Sequence, residues 1–407
     1  MELPVVNFPE YIEEFSEDFT GLFQQERQLT HFKQLMTGYA FADKKTVAHM
    51  NGLFTDHTNQ SNLNRFITDA QWDELKMNKV KINMINHVEH DGVVVLDDFI
   101  VEKYGTEIYG VENHFDHSSG ETVRGWQIAD CVYSGKGIYP LLSSVYLRKN
   151  SRWRKPDEEF KSKIDLQMDH LSSLDEMNLD FSYVVMDIWY FCKKLTQHIE
   201  KMEKDWIAGA RSNRLVKSNR KWSSLKQFAE KMINKVSFKL VLLGDKKYLM
   251  KAFTVHMKRM GKVRVLISLN KHGNFRFYVT NRLDWNELDI ATRFSRRWDI
   301  EVWHRDGKGN YGIKDCQLRS DEGVSKHLTL SMLADTLLEI ASLLSPVYAM
   351  LQNQSWTPEL KHRWVLTELV RQLISSVQKR GGDKKVKKIM ESILCPYKST
   401  MRKGSAG

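Results

Sequence analysis

Two short apolar runs in this chain each end in an aspartate: Val93-Val94-Val95-Leu96-Asp97 and Tyr183-Val184-Val185-Met186-Asp187. Short continuous runs rich in β-branched residues read as buried strands. Between them lie two further strand candidates, Trp126 to Tyr133 and Ile138 to Tyr146, flanking Ser134-Gly135-Lys136-Gly137, which reads as a hairpin turn. Residues 156–176 read as an amphipathic helix that opens on Pro156-Asp157-Glu158-Glu159, since proline and acids favour a first turn. A strand-end aspartate is common, and one alone is more often structural than catalytic. Two of them, separated by a β-meander and a helix, match the element order of an RNase H-like core.

That fold calls for a third carboxylate on a later helix. Phe294, Arg297, Glu301 and Lys308 fall at offsets of zero, three, seven and fourteen. At roughly 100° per residue they share a stripe about 60° wide on one helix. Three carboxylates in such an arrangement suit two hard divalent cations about 4 Å apart, one activating an attacking oxygen and the other stabilising the leaving one. Arg297 and Lys308 beside them suit phosphates. Taken alone, the stripe also reads as an exposed helix with an i,i+4 pair between Arg297 and Glu301. Asp98 rivals Asp97, because strand alternation does not choose between two buried faces.

Residues 1–85 read as helical. Lys44 to Met50 and Ser61 to Ile67 form two candidate helices around a polar turn, and on the second Leu63, Phe66 and Ile67 face a core. Asn62 and Arg65 then face outward, as side chains for base edges and phosphates do, either in a helix-turn-helix or in a plain bundle. Residues 200–285 carry basic residues and hairpin patterns, including Val263 to Ile267 and Phe275 to Val279 around Lys271-His272-Gly273-Asn274. Helical texture returns near residue 286, and Lys384-Lys385-Val386-Lys387-Lys388 is the densest basic run of the tail. Such a run is usually a solvated face.

Lys and Arg number 61 against 51 Asp and Glu, a net charge of +10 that favours a polyanionic partner. Cys131, Cys192, Cys316 and Cys395 are far apart, so neither a disulfide framework nor a structural zinc site is expected. His114-Phe115-Asp116-His117 has metal-ligand residue types but no matching second pair, and reads as a polar loop. The apolar runs are too short to span a membrane, and Met1-Glu2-Leu3-Pro4 does not begin a secretory leader. A cytoplasmic location follows as the expectation.

The spacing aromatic-x2-Arg-x3-Glu-x6-Lys resembles the Tyr-Arg-Glu-Lys signature of bacterial insertion-sequence DDE transposases of the four-type superfamily, most nearly the family numbered 701. Val95-Leu96-Asp97-Asp98, Met186-Asp187-Ile188-Trp189-Tyr190, Arg297-Trp298-Asp299-Ile300-Glu301, and Leu318-Arg319-Ser320 with His327-Leu328 are similar to segments of that group. The resemblance implies that Asp97, Asp187 and Glu301 are catalytic and hold two Mg2+ ions, with Mn2+ an expected substitute. It implies DNA contacts by Phe294, Arg297, Lys308, Arg319 and His327, although Phe294 lacks the hydroxyl of the family's tyrosine. In relatives that cut through a DNA hairpin, an aromatic of the insertion stacks on a flipped base. Trp222, beside Arg220 and Lys221, is the candidate here ahead of Trp206, and a core position is the competing reading for either.

The expected fold is α/β: an RNase H-like mixed sheet with flanking helices, interrupted by a β-rich insertion and preceded by a helical domain. The implied divisions are a helical DNA-binding region at 1–88, catalytic core at 89–199 and 285–345, insertion at 200–284, a basic helical region at 346–403 and a linker-like end at 404–407. The implied activity is metal-dependent cleavage at transposon ends and strand transfer into target DNA, by cut-and-paste through hairpin intermediates. It would be carried out by a homodimer in a synaptic complex on double-stranded DNA, at the nucleoid of a bacterium or archaeon. A catalytically silent DNA-binding regulator and a stand-alone RNase H-type nuclease are the alternatives.

Overall fold

Five helices precede the first strand: α1 (Glu10–Ser16), α2 (Glu26–Phe41), α3 (Val47–Gly52), α4 (Gln60–Thr68) and α5 (Glu74–Val88). They open a computed structural model that describes residues 3–116, 119–218, 220–244, 246–345 and 357–378. Local signals set several of their starts. Gln25 and Gln28 make a reciprocal capping box on α2, and the Asp73 carboxylate accepts from the Leu75 and Lys76 N–H groups at the start of α5. On α4, Leu63, Phe66 and Ile67 are buried, while Asn62 and Arg65 are exposed. The α3–α4 connection, residues 53–59, is longer than the ~3–4-residue turn of a helix-turn-helix.

Next come β1 (Val93–Glu102), β2 (Glu112–Asp116), β3 (Glu121–Ser134), β4 (Ile138–Val145), α6 (Lys163–Glu176), β5 (Tyr183–Met186), α7 (Lys193–Lys201) and β6 (Asp205–Ala210). Strands β3, β1, β5 and β6 are successive neighbours, and β4 lies beyond β3. The β4–β3–β1 pairings are antiparallel, whereas β1–β5 and β5–β6 are parallel. Helix α6 starts later than its proline and acids imply. Ser162 and Asp165 form a capping box there, so Pro156 to Glu159 remain outside the helix. His114 and Asp116 belong to strand β2, not to a polar loop, because β3 pairs with that segment; His117 lies outside the described residues.

The insertion holds β7 (Leu215–Ser218), β8 (Lys221–Ser224), α8 (Leu225–Ile233), β9 (Lys239–Leu243), β10 (Lys246–Met257), β11 (Gly261–Leu269) and β12 (Phe275–Thr280). It does not build a separate sheet. β12 pairs antiparallel with β6, and β11, β10, β7 and β8 follow outward, so one mixed sheet of 12 strands runs through core and insertion among the described residues. β6 therefore belongs with the core strands, although it lies inside the span expected to be insertion.

The chain ends, as described, with α9 (Glu287–Ser295), α10 (Trp298–Gly309), α11 (Asp321–Leu344) and α12 (Pro358–Gln378). α11 is long and apolar enough to cross a membrane, but 83% of its apolar window is buried inside the fold. It packs on α2, α4, α5 and β4, and so joins the N-terminal helices to the sheet in one hydrophobic core. The Lys384–Lys388 run and the linker-like end lie outside the described residues.

Candidate active site

Leu96 and Met186 are the last paired step of the parallel β1–β5 ladder, so Asp97 and Asp187 follow side by side on neighbouring strands. Strand alternation sends Asp97 and Asp98 to opposite faces. Asp98 is fully engaged on its face. Lys163 of α6 donates to both of its oxygens at 2.8 Å, the Tyr190 hydroxyl to one at 2.7 Å, and the Gln127 amide to the other at 2.7 Å. Asp97 lies on the face that α10 covers, with its side chain 20% exposed. Burial, together with the charges of Asp98 and Asp187, pushes its carboxyl up to about 7, against the pull of His304.

Asp130 sits directly across the β1–β3 ladder from Asp97 and is fully buried. It accepts from Trp303 Nε1 at 3.0 Å and pairs with His304 Nε2 at 2.9 Å. Burial opposes a charge on His304, but the Asp130 carboxylate outweighs it and raises the imidazole above its ordinary value. Burial likewise holds the Lys308 ammonium below its usual range, and Lys308 lies 5.5 Å over the Phe99 ring.

The carboxylate-bearing helix is not one continuous rod. α9 ends at Ser295, and Arg297 caps α10, with i,i+3 hydrogen bonds through residues 293–299 tightening the joint. The side of the joint is tied down: Arg296 Nη1 donates to the Gly135 carbonyl at 3.0 Å, and Ser134 Oγ to Asp299 at 2.5 Å. Phe294, seven residues before Glu301, packs on Tyr278 with ring centroids 4.5 Å apart. Lys308 stays within α10 despite the flanking glycines.

Arg297 pairs with Glu301 through one amino group and lies 3.7 Å from Asp97 through the other. A cation thus stands between two carboxylates of the expected metal set. Among the described residues, no three acidic, histidine or cysteine side chains lie close enough as they stand to hold an ion. The donor set still fits a hard divalent cation: it is all oxygen, and Asp97 is a buried carboxylate repelled by two others.

Residues 98–344, more than half of the chain, match the family described as "Archaeal putative transposase ISC1217". The chain belongs to this transposase family. The match takes in Asp187 and Glu301 and begins one residue after Asp97. A probable transposase for insertion sequence element IS701 from Microchaete diplosiphon is 22% identical over 222 residues, covering 52% of this chain and 57% of that protein. Of solved structures, a piggyBac transposase synaptic complex with hairpin DNA aligns at a TM-score of 0.44 and 8% identity, over 98% of this chain and 84% of that one. The Drosophila P element transposase strand transfer complex aligns at 0.22 and 11%, over 96% and 92%. Both scores are too low to define the fold of this chain.

The other expected DNA contacts fall into two groups. Arg319 is exposed and lines, with Lys308, Lys314, Lys103 and Tyr104, a cleft of about 740 Å³ beside the end of β1. Trp222 is 46% exposed on β8, near the Lys217 ammonium, whereas Trp206 is buried and donates to Glu200. Asn62 and Arg65 lie on the outer face of α4. His327 must be corrected. It is buried between the Tyr39 hydroxyl at 2.7 Å and the Gly312 carbonyl at 3.0 Å, and burial lowers it to about 3. A neutral, enclosed imidazole cannot grip a phosphate; it joins α2 to α11 instead.

Asp130, His304 and Lys163 escaped the sequence reading. A lone carboxylate inside the apolar stretch Trp126 to Tyr133 was the available signal, since a buried charge needs a partner. A second cleft, of about 490 Å³, lies beyond Asp187, with Trp189, Arg211, Arg214, Lys258 and Arg259 on its walls.

Proposed function

We propose that this chain is a DDE transposase that cleaves DNA at transposon ends and transfers the freed 3′ ends into target DNA. The observation that carries this reading is the placement of Asp97, in the middle of β1, beside Asp187, just past the end of the neighbouring β5, with Glu301 joined to Asp97 through Arg297. The strand order β4-β3-β1-β5-β6, antiparallel and then parallel, supports an RNase H-like core. The resemblance to the Tyr-Arg-Glu-Lys signature points the same way.

Asp97, Asp187 and Glu301 would hold the divalent ions, with Mg2+ the expected species. When bound, they supply Lewis-acid activation of the attacking oxygen and charge relief at the leaving oxygen. Asp98 stays with Lys163 and Tyr190 and fixes β1 on its α6 side. Arg297, freed from its carboxylates, and Lys308 grip the phosphates beside the scissile bond. Phe294, which lacks the hydroxyl of the family's tyrosine, packs on the ring of Tyr278. The cleft walled by Arg211, Arg214, Lys258 and Arg259, together with the exposed Lys314 and Arg319 of the other, would contact the duplex backbone, and Trp222 stacks on an unpaired base if cleavage runs through hairpins. Both transposon ends must be held together, so the acting species is a homodimer on DNA.

The test uses purified protein, Mg2+ and a labelled duplex carrying the flanking ends of the encoding gene, with Asp187→Ala beside the wild type. Cutting at the element boundary by the wild type alone supports the reading, and joined products separate a transposase from a nuclease. Specific binding without cutting by either protein would replace it with a silent DNA-binding regulator.

A further inference from the structure

Every carboxylate and cation of the expected signature now has a role, but the most enclosed polar group beside the site has none. Asp130 is fully buried on the strand next to Asp97, and a buried carboxylate is costly unless its partners are good. Its partners are Trp303 Nε1 at 3.0 Å and His304 Nε2 at 2.9 Å to one oxygen and 3.2 Å to the other. Both lie two and three residues past Glu301 on α10, within the same turn. The His304 ring also stacks on Phe99, two residues past Asp97 on β1, at 4.2 Å between centroids and 30° between planes. From α6, Gln167 Nε2 donates to the main-chain oxygens of both Asp97 and Asp130, at 2.9 and 2.8 Å. The strand bearing Asp97 and the helix bearing Glu301 are therefore joined through one buried polar bridge.

We infer that Asp130 and His304 are positioning residues of the metal site, acting through each other to hold the Glu301 turn in register with Asp97. The inference rests on the transposase reading, because it presupposes that Asp97 and Glu301 share an ion. The physical reason is geometric. Helix α10 has no side-chain cap on its N-terminus, and its first turn is tied to the β3–β4 turn through Asp299 and Arg296; the following turn, which carries Glu301, is tied to the sheet beside Asp97 through Trp303, His304 and Asp130. Apolar packing of Ile300 and Trp303 tolerates small slides, whereas hydrogen bonds from two adjacent side chains to one carboxylate do not. Groups of this kind, one shell behind metal ligands, typically change metal affinity about 10–100-fold when removed.

The experiment measures Mn2+ binding to the full-length protein without DNA, by electron paramagnetic resonance of the free ion, for wild type, Asp130→Ala, Asp130→Asn, His304→Ala and His304→Gln. Leu338→Ala, a core truncation in α11 remote from the site, serves as a control for general destabilisation. The expected result is Mn2+ affinity about 10–100-fold weaker for the two alanine variants. Partial recovery is expected in Asp130→Asn and His304→Gln, which keep a hydrogen-bonding group in place. Leu338→Ala should stay near wild type even with a lowered Tm. Alanine variants that bind Mn2+ like the wild type overturn the inference, as does an equal loss in Leu338→Ala. Should Asp130→Ala fail to fold, His304→Gln against Leu338→Ala decides alone. A wild type that binds no Mn2+ fails earlier, and it is then the metal reading of Asp97, Asp187 and Glu301 that falls.

Discussion

Replacing Asp97 with asparagine should make the metal-free protein more stable while abolishing DNA cleavage. The carboxyl is raised from 3.8 to about 7, chiefly by burial and then by the neighbouring charges of Asp98 and Asp187. At about 1.4 kcal/mol per pH unit, the ionised side chain costs the fold roughly 4 kcal/mol. Asparagine removes that cost but forfeits the Arg297 contact at 3.7 Å, worth at most about 1 kcal/mol, so a net gain of about 2–3 kcal/mol is expected. For a chain of 407 residues that is a rise of roughly 2–4 °C in Tm. The sign follows from linkage. The native pKa is raised, so the ionised form is penalised fully above pH 7, progressively less as pH falls toward 3.8, and not at all below it. The advantage of Asp97→Asn should be complete at pH 8 and nearly gone by pH 4. The assay is thermal unfolding in chelator at pH 8, 6 and 4.5. A variant no more stable than wild type at pH 8, or a gap that does not narrow on acidification, would refute the picture of a mutually repelled, buried carboxylate at this position.

Asp98→Asn should behave oppositely, losing about 3 kcal/mol of stability because Lys163 and Tyr190 lose a charged acceptor, while the protein still binds Mn2+. Unfolding with and without the ion would show it. Lys81, buried with its ammonium donating to the Leu141 carbonyl at 2.5 Å, is pulled down to about 7 by burial. Its depressed pKa means that stability is lost as pH falls from 10.5 to 7, so Lys81→Met should raise Tm most at or below pH 7 and lose that advantage toward pH 10. Trp222→Ala should leave Tm within about 1 °C, since the ring is 46% exposed. It should weaken binding to an end duplex with an unpaired base at least about fivefold, measured by fluorescence anisotropy.

Much of the sheet was readable from residues alone. The apolar run before Asp187 became β5, the one before Asp97 became the first part of a β1 that runs on to Glu102 because β3 keeps pairing with it, and the Ser134–Gly137 turn joined β3 to β4. Val263 to Ile267 and Phe275 to Val279 became β11 and β12. Strand pattern and turn chemistry are local, and local rules suffice for them. The joint before α10 was not visible, because Phe294 to Lys308 keeps one helical period across it. Nor was the merging of core and insertion into one sheet, which depends on β6 meeting β12 from far along the chain. His327 shows the same limit: its neighbours in sequence suit a DNA contact, and only Tyr39, on a distant helix, reveals that it is buried.

The sequence by itself determined that an apolar strand run leads into each of Asp97 and Asp187 and that a helix carries Glu301, because strand pattern and helical period are properties of neighbouring residues; it did not show that β1 continues past Asp97 to Glu102. Only the tertiary structure decided which of Asp97 and Asp98 faces that helix, and that Asp130 stands between strand and helix. Alternation assigns adjacent residues to opposite faces, but what covers each face, α6 with Lys163 or α10 with Arg297, is settled by packing between segments far apart in the chain.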